Sequence, residues 1–300
     1  MSDPFLAFSH GALVVHRSDL SSLVVSGPDR ASWLNALLTC DVSKISPGRV
    51  AAGLALDKQG RVLSEVLVSA AEDRIFVAVD AARRESLLAH FDRYLIMEDA
   101  EIVVAPDPMS WMVAYGPKAA TLPDASASFR HFGFPATLLT SLESSRAALL
   151  DRLGSSGAEV VIATLEDFDR IRLDLGIQRF GIEFGESTYA EEAGLDQHAI
   201  DFNKGCYLGQ EVVVKMRSRG KPPRKLVRLV LQGADPVADG AEVASESGEL
   251  VGSVRSCHSS ALLPDHVVAF AIVRSAVAAS PSLRCGDRVA RVVEASGLLQ

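Results

Sequence analysis

Asn203-Lys204-Gly205-Cys206-Tyr207-Leu208-Gly209-Gln210-Glu211 crowds an ammonium, a thiol, two glycines, an amide and a carboxylate into one short run. Glycines at 205 and 209 signal close approach of the backbone to something else. A helix opening at Tyr207 would place Cys206 at its N-terminus, where unpaired N–H groups and the helix dipole favour a thiolate. Lys204 alongside would act in the same direction. The competing reading is a small buried cysteine in a tight turn. Val212, Val213 and Val214 are mediocre helix formers, so the helix depends on its surroundings.

Downstream of this run, Pro222-Pro223 cannot continue a helix or a central strand and marks a boundary. Beyond it come short β runs, Leu226 to Leu231, Leu250 to Cys257, His266 to Val273 and Arg288 to Val293, separated by Gly- and Asp-containing turns. They predict a small β-barrel over residues 223–300. Upstream, strands and helices alternate. Val50 to Leu56 and Arg61 to Ser69 flank a hairpin turn at Asp57-Lys58-Gln59-Gly60, and Arg74 to Val79 follows as a third strand. A helix near Pro28 carries Trp33, Leu34, Leu37 and Leu38. Asp80 caps a helix over 81–95, residues 123–128 read as loop, and 141–153 reads as helix. Thr164 caps a further helix that Gly176 stops. The order is that of an α+β domain over residues 1–222.

At 300 residues and 48% hydrophobic content the chain buries a full core and has length for about two domains. Its net charge of −8 argues against general nucleic-acid binding. The start, Met1 to His10, lacks a basic and apolar leader, and no window approaches the roughly 18 apolar residues of a membrane span. These features predict a soluble cytoplasmic protein with no membrane partner. Cys40, Cys206, Cys257 and Cys285 are widely separated, and His198, His258 and His266 are scattered, so no metal site is assigned.

Lys204-Gly-Cys-Tyr-Leu-Gly-Gln-Glu211 resembles the Lys-Gly-Cys-Tyr-x-Gly-Gln-Glu motif of the YgfZ family of folate-binding proteins, relatives of the glycine-cleavage T protein. Val25-Ser-Gly-Pro-Asp29, Thr39-Cys-Asp-Val42, Gly176-Ile-Gln-Arg-Phe-Gly-Ile-Glu183, Glu192-Ala-Gly-Leu195 and Val251-Gly-Ser-Val-Arg-Ser256 extend the resemblance over nearly the whole chain. The resemblance implies a three-lobed T-protein-like fold around a central folate cavity, with two interwoven α+β lobes in 1–222 and the barrel as the third. It also implies folate-dependent assembly or upkeep of iron–sulfur clusters. Tetrahydrofolate or a one-carbon derivative would be the cofactor, and iron–sulfur assembly proteins or client enzymes the partners. The motif cysteine, Cys206, would be the functional thiol.

A pterin ring presents an N–H and an amine side by side, and one carboxylate can accept both. By resemblance Glu183 takes that role, whereas without it Glu183 is a solvated loop acid. On the strand from Arg61 to Ser69, Glu65 shares a face with Leu63 and Leu67, and Ser64 shares the other with Val62 and Val66. A carboxylate on an apolar face reads either as cavity lining or as a strand-edge acid that reaches water or an arginine. The resemblance implies Gly-x-x-Asp-Asp or a close variant in this strand, as in T-protein aminomethyltransferases, but this chain reads Gly60-Arg61-Val62-Leu63-Ser64-Glu65 and lacks the catalytic aspartate. A displacement near 1 Å can cost about 10²-fold in rate, so aminomethyl transfer is disfavoured. Lys215 and Arg217 open a basic run, with Arg219, Lys221, Arg224 and Lys225, that reads as a rim for the folate's glutamate tail or as a solvated loop. A folate-binding maintenance factor is the favoured reading, ahead of an aminomethyltransferase and a non-catalytic interaction module on the same fold.

Overall fold

Runs of β-branched and aliphatic residues recur along the chain, and in the computed structural model they pair into two five-stranded sheets and a closed barrel. The structure describes residues 3–155, 159–219 and 222–293. The chain divides into two units, each assembled from separate stretches. Met1–Asp57, Leu63–Phe168 and His198–Leu208 form the first, and Lys58–Val62, Asp169–Gln197 and Gly209–Gln300 the second. Among the described residues no helix is long and apolar enough to cross a membrane.

The first unit runs α1 (Pro4–His10), β1 (Ala12–His16), β2 (Leu20–Ser26), α2 (Arg30–Asn35), β3 (Val50–Leu56), β4 (Val62–Ala70), β5 (Arg74–Asp80), α3 (Arg84–Asp92), β6 (Glu101–Val104), β7 (Met109–Tyr115), β8 (Ala125–His131), β9 (Phe134–Leu142), α4 (Arg146–Gly154) and β10 (Val160–Ala163). One sheet has the order β10-β1-β7-β9-β8, the other β3-β4-β5-β2-β6. In the second sheet Leu23, Val66, Val68 and Val77 pack with Trp33 and Leu34 of α2 and Leu87 and Phe91 of α3. In the first, Val14, Met112 and Leu139 pack with Leu149 and Leu153 of α4. Of residues 123–128, expected as loop, Pro123 and Asp124 form a turn and 125–128 open strand β8. A register shift between Ala125 and Ala127 breaks the two-residue alternation that would have revealed it. The helix expected from residue 141 begins only at Arg146, because β9 continues to Leu142.

A buried polar network ties the two sheets of this unit together. Glu65 on β4 accepts two hydrogen bonds from Arg17, at 3.3 and 3.1 Å, and Arg17 also donates to Asp19. Its Oε1 lies 2.6 Å from His131 Nε2 on β8, whose Nδ1 is 2.6 Å from the Tyr115 hydroxyl on β7. The carboxylate only accepts, so His131 Nε2 carries the hydrogen. Burial works against the Glu65 charge, but Arg17 and His131 outweigh it and hold the carboxyl far below its ordinary range. β4 is an interior strand, so Glu65 meets its arginine inside the protein rather than at an edge.

In the second unit, α5 (Leu165–Leu175) ends where the sequence says it should. Gly176 adopts φ 80°, its N–H donates to Leu173 O at 3.1 Å, and Ile177 N–H donates to Arg172 O at 2.8 Å. This pair of bonds is the Schellman closure, and the left-handed residue suits glycine. After α6 (Gln210–Arg219) come β11 (Arg224–Gln232), β12 (Glu242–Ala244), β13 (Leu250–Ser259), β14 (His266–Arg274), β15 (Ser282–Cys285) and β16 (Arg288–Val293). They close a barrel in the order β11-β14-β13-β12-β15-β16. Val227, Leu229 and Leu231 of β11 join Val254, Val267 and Ala269 in the interior, while Leu226 and Val230 face outward onto Leu173 of α5. β12 and β15 are too short to stand out as sequence runs.

Breaking a buried ion pair from one side leaves a buried charge without its partner, at about 3–5 kcal/mol. Glu65→Gln is therefore expected to destabilise the protein by about that much in urea unfolding. A loss under about 0.5 kcal/mol would show that the network is not what joins the sheets.

Candidate functional site

Helices leave carbonyl groups unpaired at their C-termini, and the turn after α2 does so beside the 203–208 segment. Lys204 satisfies them. Its Nζ donates to Asn35 O at 2.7 Å, Leu38 O at 2.6 Å and Cys40 O at 2.7 Å, which uses all three ammonium hydrogens. A cation at the negative end of a helix is also favoured by the dipole. Burial pulls the Lys204 ammonium below its ordinary pKa, and the neighbouring Asp41 and Asp201 carboxylates oppose that shift. Neighbouring bonds continue the attachment. Thr39 Oγ1 donates to Ala199 O at 2.6 Å and accepts from Leu54 N–H, Asp201 N–H donates to Thr39 O, and Leu208 N–H donates to Ala36 O at 2.9 Å. Two stretches singled out separately in the sequence, Thr39 to Val42 and the Lys204 motif, thus meet.

Two expectations about Cys206 need correction. α6 begins at Gln210, after Gly209 in the left-handed conformation at φ 83°, so Cys206 is not in a helix's first turn. Lys204 turns its donors to carbonyl groups, so its charge is committed to the end of α2. Cys206 is nonetheless accessible. It is a free, exposed thiol, whereas Cys40 and Cys285 are buried. It lines an open pocket of about 500 Å³ together with Trp33, Leu37, Tyr94, Glu98 and Tyr207. Trp33 Nε1 donates to Tyr94 O at 3.0 Å, which fixes the indole. The Glu98 carboxylate accepts from the Ile96 and Met97 amides at 3.1 Å each, and these bonds lower its pKa. The turn they stabilise leaves Ile96 and Met97 80% and 92% exposed beside the pocket.

The carboxylates proposed for folate are placed differently. Glu183 is fully buried, and Arg172 donates to both its oxygens, at 2.8 and 2.9 Å. Ser256 Oγ donates to Oε1 and the Arg179 amide to Oε2. With both oxygens occupied, Glu183 is a structural acid that holds Arg172 and not an acceptor for a pterin edge. Glu65 is likewise committed to Arg17 and His131. Ser64 is fully buried, with its hydroxyl donating to Glu65 O and accepting from the Asp80 amide. All three departures have one physical cause, the partners that burial demands. Lys215 and Arg217 are exposed on α6, with Lys215 paired to Glu211 one turn away. Arg224, from the same basic run, pairs with buried Glu192 at 2.8 Å, and Lys221 lies outside the described residues.

Sequence reasoning missed Glu191. This side chain is 7% exposed, and among the described residues no other residue donates a well-formed hydrogen bond to either oxygen. Burial pushes its carboxyl up to about 7, opposed by its own backbone N–H and aided by Asp196 and Glu192. Among the described residues no group of three or more His, Cys, Asp or Glu side chains is arranged to hold a metal ion.

Burial raises the Cys40 thiol to about 12 and the Cys285 thiol to about 11. Iodoacetamide is therefore expected to label Cys206 in the native protein at least ~10-fold faster than Cys40 or Cys285, as read by peptide mass mapping. Comparable rates at all three would contradict the exposed site.

Residues 4–136 match the GCVT N-terminal domain family. Over 262 residues the chain is 28% identical to an aminomethyltransferase of Rubrobacter xylanophilus, covering 80% of this chain and 70% of that one. It is 27% identical to an iron-sulfur cluster assembly factor IBA57 homolog, mitochondrial, of Phaeosphaeria nodorum, covering 73% of this chain but only 56% of the relative. It is 25% identical to the tRNA-modifying protein YgfZ of Sodalis glossinidius, covering 79% and 76%. Glycine cleavage system aminomethyltransferase T from Bartonella henselae superposes with a TM-score of 0.77 at 20% identity, over 96% of this chain and 86% of that one. That likeness gives the fold. Residues 4–136 are thus similar to the GCVT N-terminal domain, and the chain has the fold of the aminomethyltransferase T structure.

Proposed function

We propose that this protein binds tetrahydrofolate or a one-carbon derivative and supports assembly or repair of iron–sulfur clusters in client enzymes, with Cys206 as the working thiol. The observation that carries the reading is the exposed Cys206 thiol, lining an aromatic pocket on a segment that a buried lysine fastens in place. A chain with no use for that thiol would gain nothing from anchoring the segment so firmly. Relatives named for iron–sulfur cluster assembly and as YgfZ support the same direction. Ile96 and Met97, exposed beside the pocket, support an encounter with a client protein there. The folate part rests on the GCVT domain, and the exposed Lys215 and Arg217 are proposed to meet the glutamate tail.

Aminomethyl transfer is the second reading, and the similarity to aminomethyltransferases favours it. Against it stands the hairpin strand. Ser64 stands where the resembled T-protein pattern has an aspartate, its hydroxyl serves backbone groups, and the adjacent Glu65 is locked to Arg17. No carboxylate on that strand is free to meet a folate amine, since catalytic positioning tolerates errors of only about 1 Å.

Calorimetric titration is expected to show tetrahydrofolate binding that Cys206→Ala leaves unchanged. In a deletion strain, the same variant is expected to fail to restore iron–sulfur enzyme activity. Full restoration by Cys206→Ala, or robust turnover of an aminomethyl-lipoyl carrier, would contradict the proposal.

A further inference from the structure

Three aromatic residues, Trp33, Tyr94 and Tyr207, line the pocket beside Cys206, and Glu98 is the one carboxylate among its lining residues. Aromatic faces carry negative potential, and an ionised carboxylate adds to it, so the wall favours a cation and repels an anion. The Glu98 carboxylate is held in place by the Ile96 and Met97 amides, bonds that also favour its ionised form. A purely apolar ligand would cover Glu98 and leave its charge without a partner.

The surroundings point the same way. Residues 92–101 carry four acids, Asp92, Glu98, Asp99 and Glu101, against Arg93 alone. Lys204 Nζ lies 5.5 Å from the centroid of the Tyr207 ring, but its charge is spent on three carbonyl groups, with Asp41 and Asp201 close by. At about 500 Å³ the pocket falls within the roughly 300–1,000 Å³ range of sites that take up a ligand. The turn that carries Glu98 also presents Ile96 and Met97, 80% and 92% exposed. A small free cation leaves those two side chains uncovered, whereas a polypeptide lays apolar residues on them as its own basic side chain enters the pocket.

We infer that the pocket beside Cys206 receives a lysine or arginine side chain of a partner polypeptide, held between the aromatic wall and Glu98, with apolar residues of the partner on Ile96 and Met97. The inference rests on the reading of Cys206 as the working thiol and names what its client presents to it.

Cys206 itself reports on the pocket through methanethiosulfonate reagents. The thiolate attacks the sulfenyl sulfur, a mixed disulfide forms, and methanesulfinate leaves with the electron pair. Rates for the 2-(trimethylammonio)ethyl and 2-sulfonatoethyl reagents are read on the Cys206 peptide by mass mapping and divided by those for 2-mercaptoethanol. The cationic reagent is expected to be favoured at least tenfold. Glu98→Gln, whose amide oxygen still accepts from the Ile96 and Met97 amides, and Tyr94→Leu are each expected to reduce that preference at least threefold. In 1 M salt the Debye length is about 3 Å, and a preference held by pocket contacts survives there, whereas one due to diffuse surface charge vanishes and overturns the inference. A wild-type preference within twofold also overturns it.

Peptides activated at cysteine as thionitrobenzoate disulfides, Leu-Cys-Arg-Leu, Leu-Cys-Glu-Leu and Gly-Cys-Arg-Gly, test the polypeptide. The first is expected to react fastest, with its advantage over the third lost in an Ile96→Ser/Met97→Ser double variant. Equal rates for the first and third would make the site one for free cations and refute the polypeptide partner. Complementation of a deletion strain separates this inference from the reading beneath it. Restoration of iron–sulfur enzyme activity by Cys206→Ala sinks that reading whatever the probes show, whereas failure of Cys206→Ala beside full restoration by Glu98→Gln sinks the basic-side-chain pocket alone.

Discussion

A buried ammonium group has few stable arrangements, and Lys204 has reached one of them: three hydrogens, three carbonyl acceptors, all contributed by the turn that ends α2. Because α2 packs into the core of its sheet through Trp33 and Leu34, the carbonyls are fixed in space. The lysine, and the segment it belongs to, are fixed with them. Cys206 stands two residues along, with Tyr207 buried beside it and Leu208 bonded back to Ala36. The thiol is exposed on a segment hydrogen-bonded on both sides of it, a combination that chemistry on a partner requires.

The same economy governs the other charges. Burial of a carboxylate or guanidinium is tolerated when the partner is buried with it and the remaining hydrogen-bonding capacity is used. Arg172 shows the pattern within the second unit. It donates to Asp169, to the Ile177 carbonyl and to both oxygens of Glu183, and so binds α5 to the loop that follows it. Arg228 on β11 reaches the last carbonyls of α5 from the barrel side, at 3.3 Å to Leu173 O and Asp174 O. In both units, then, a cation closes the end of a helix.

Local features were legible in the sequence because local physics decides them. The Thr164 cap, the Gly176 stop, the hairpin strands and the barrel's long strands each follow from a few neighbouring residues. The density of the Lys204 to Glu211 run also pointed to the segment that Lys204 fastens to the end of α2. What the sequence hid are the partners. Glu65 finds Arg17 and His131 from 48 and 66 residues away, and nothing near Glu65 in the chain announces either. Lys204 was read against its neighbour Cys206, whereas its partners are more than 160 residues upstream. Glu183 had its partner only 11 residues away, but the helix geometry that brings Arg172 round to it is visible only once the fold exists. The pocket beside Cys206 draws on α2, the turn after α3 and the motif itself, and no single stretch encodes it.

The central claim is that Lys204 holds the thiol segment through the end of α2. Amide hydrogen exchange in a Lys204→Met variant tests it most directly. Charge-assisted hydrogen bonds contribute about 1.5–3 kcal/mol each, so their loss is expected to speed exchange of the Leu208 and Asp201 amides by at least ~10-fold. The β1 and β7 amides, in the sheet that α2 does not pack on, are expected to keep their protection. Unchanged exchange at Leu208 in a folded variant would show that the segment is held by something other than this lysine.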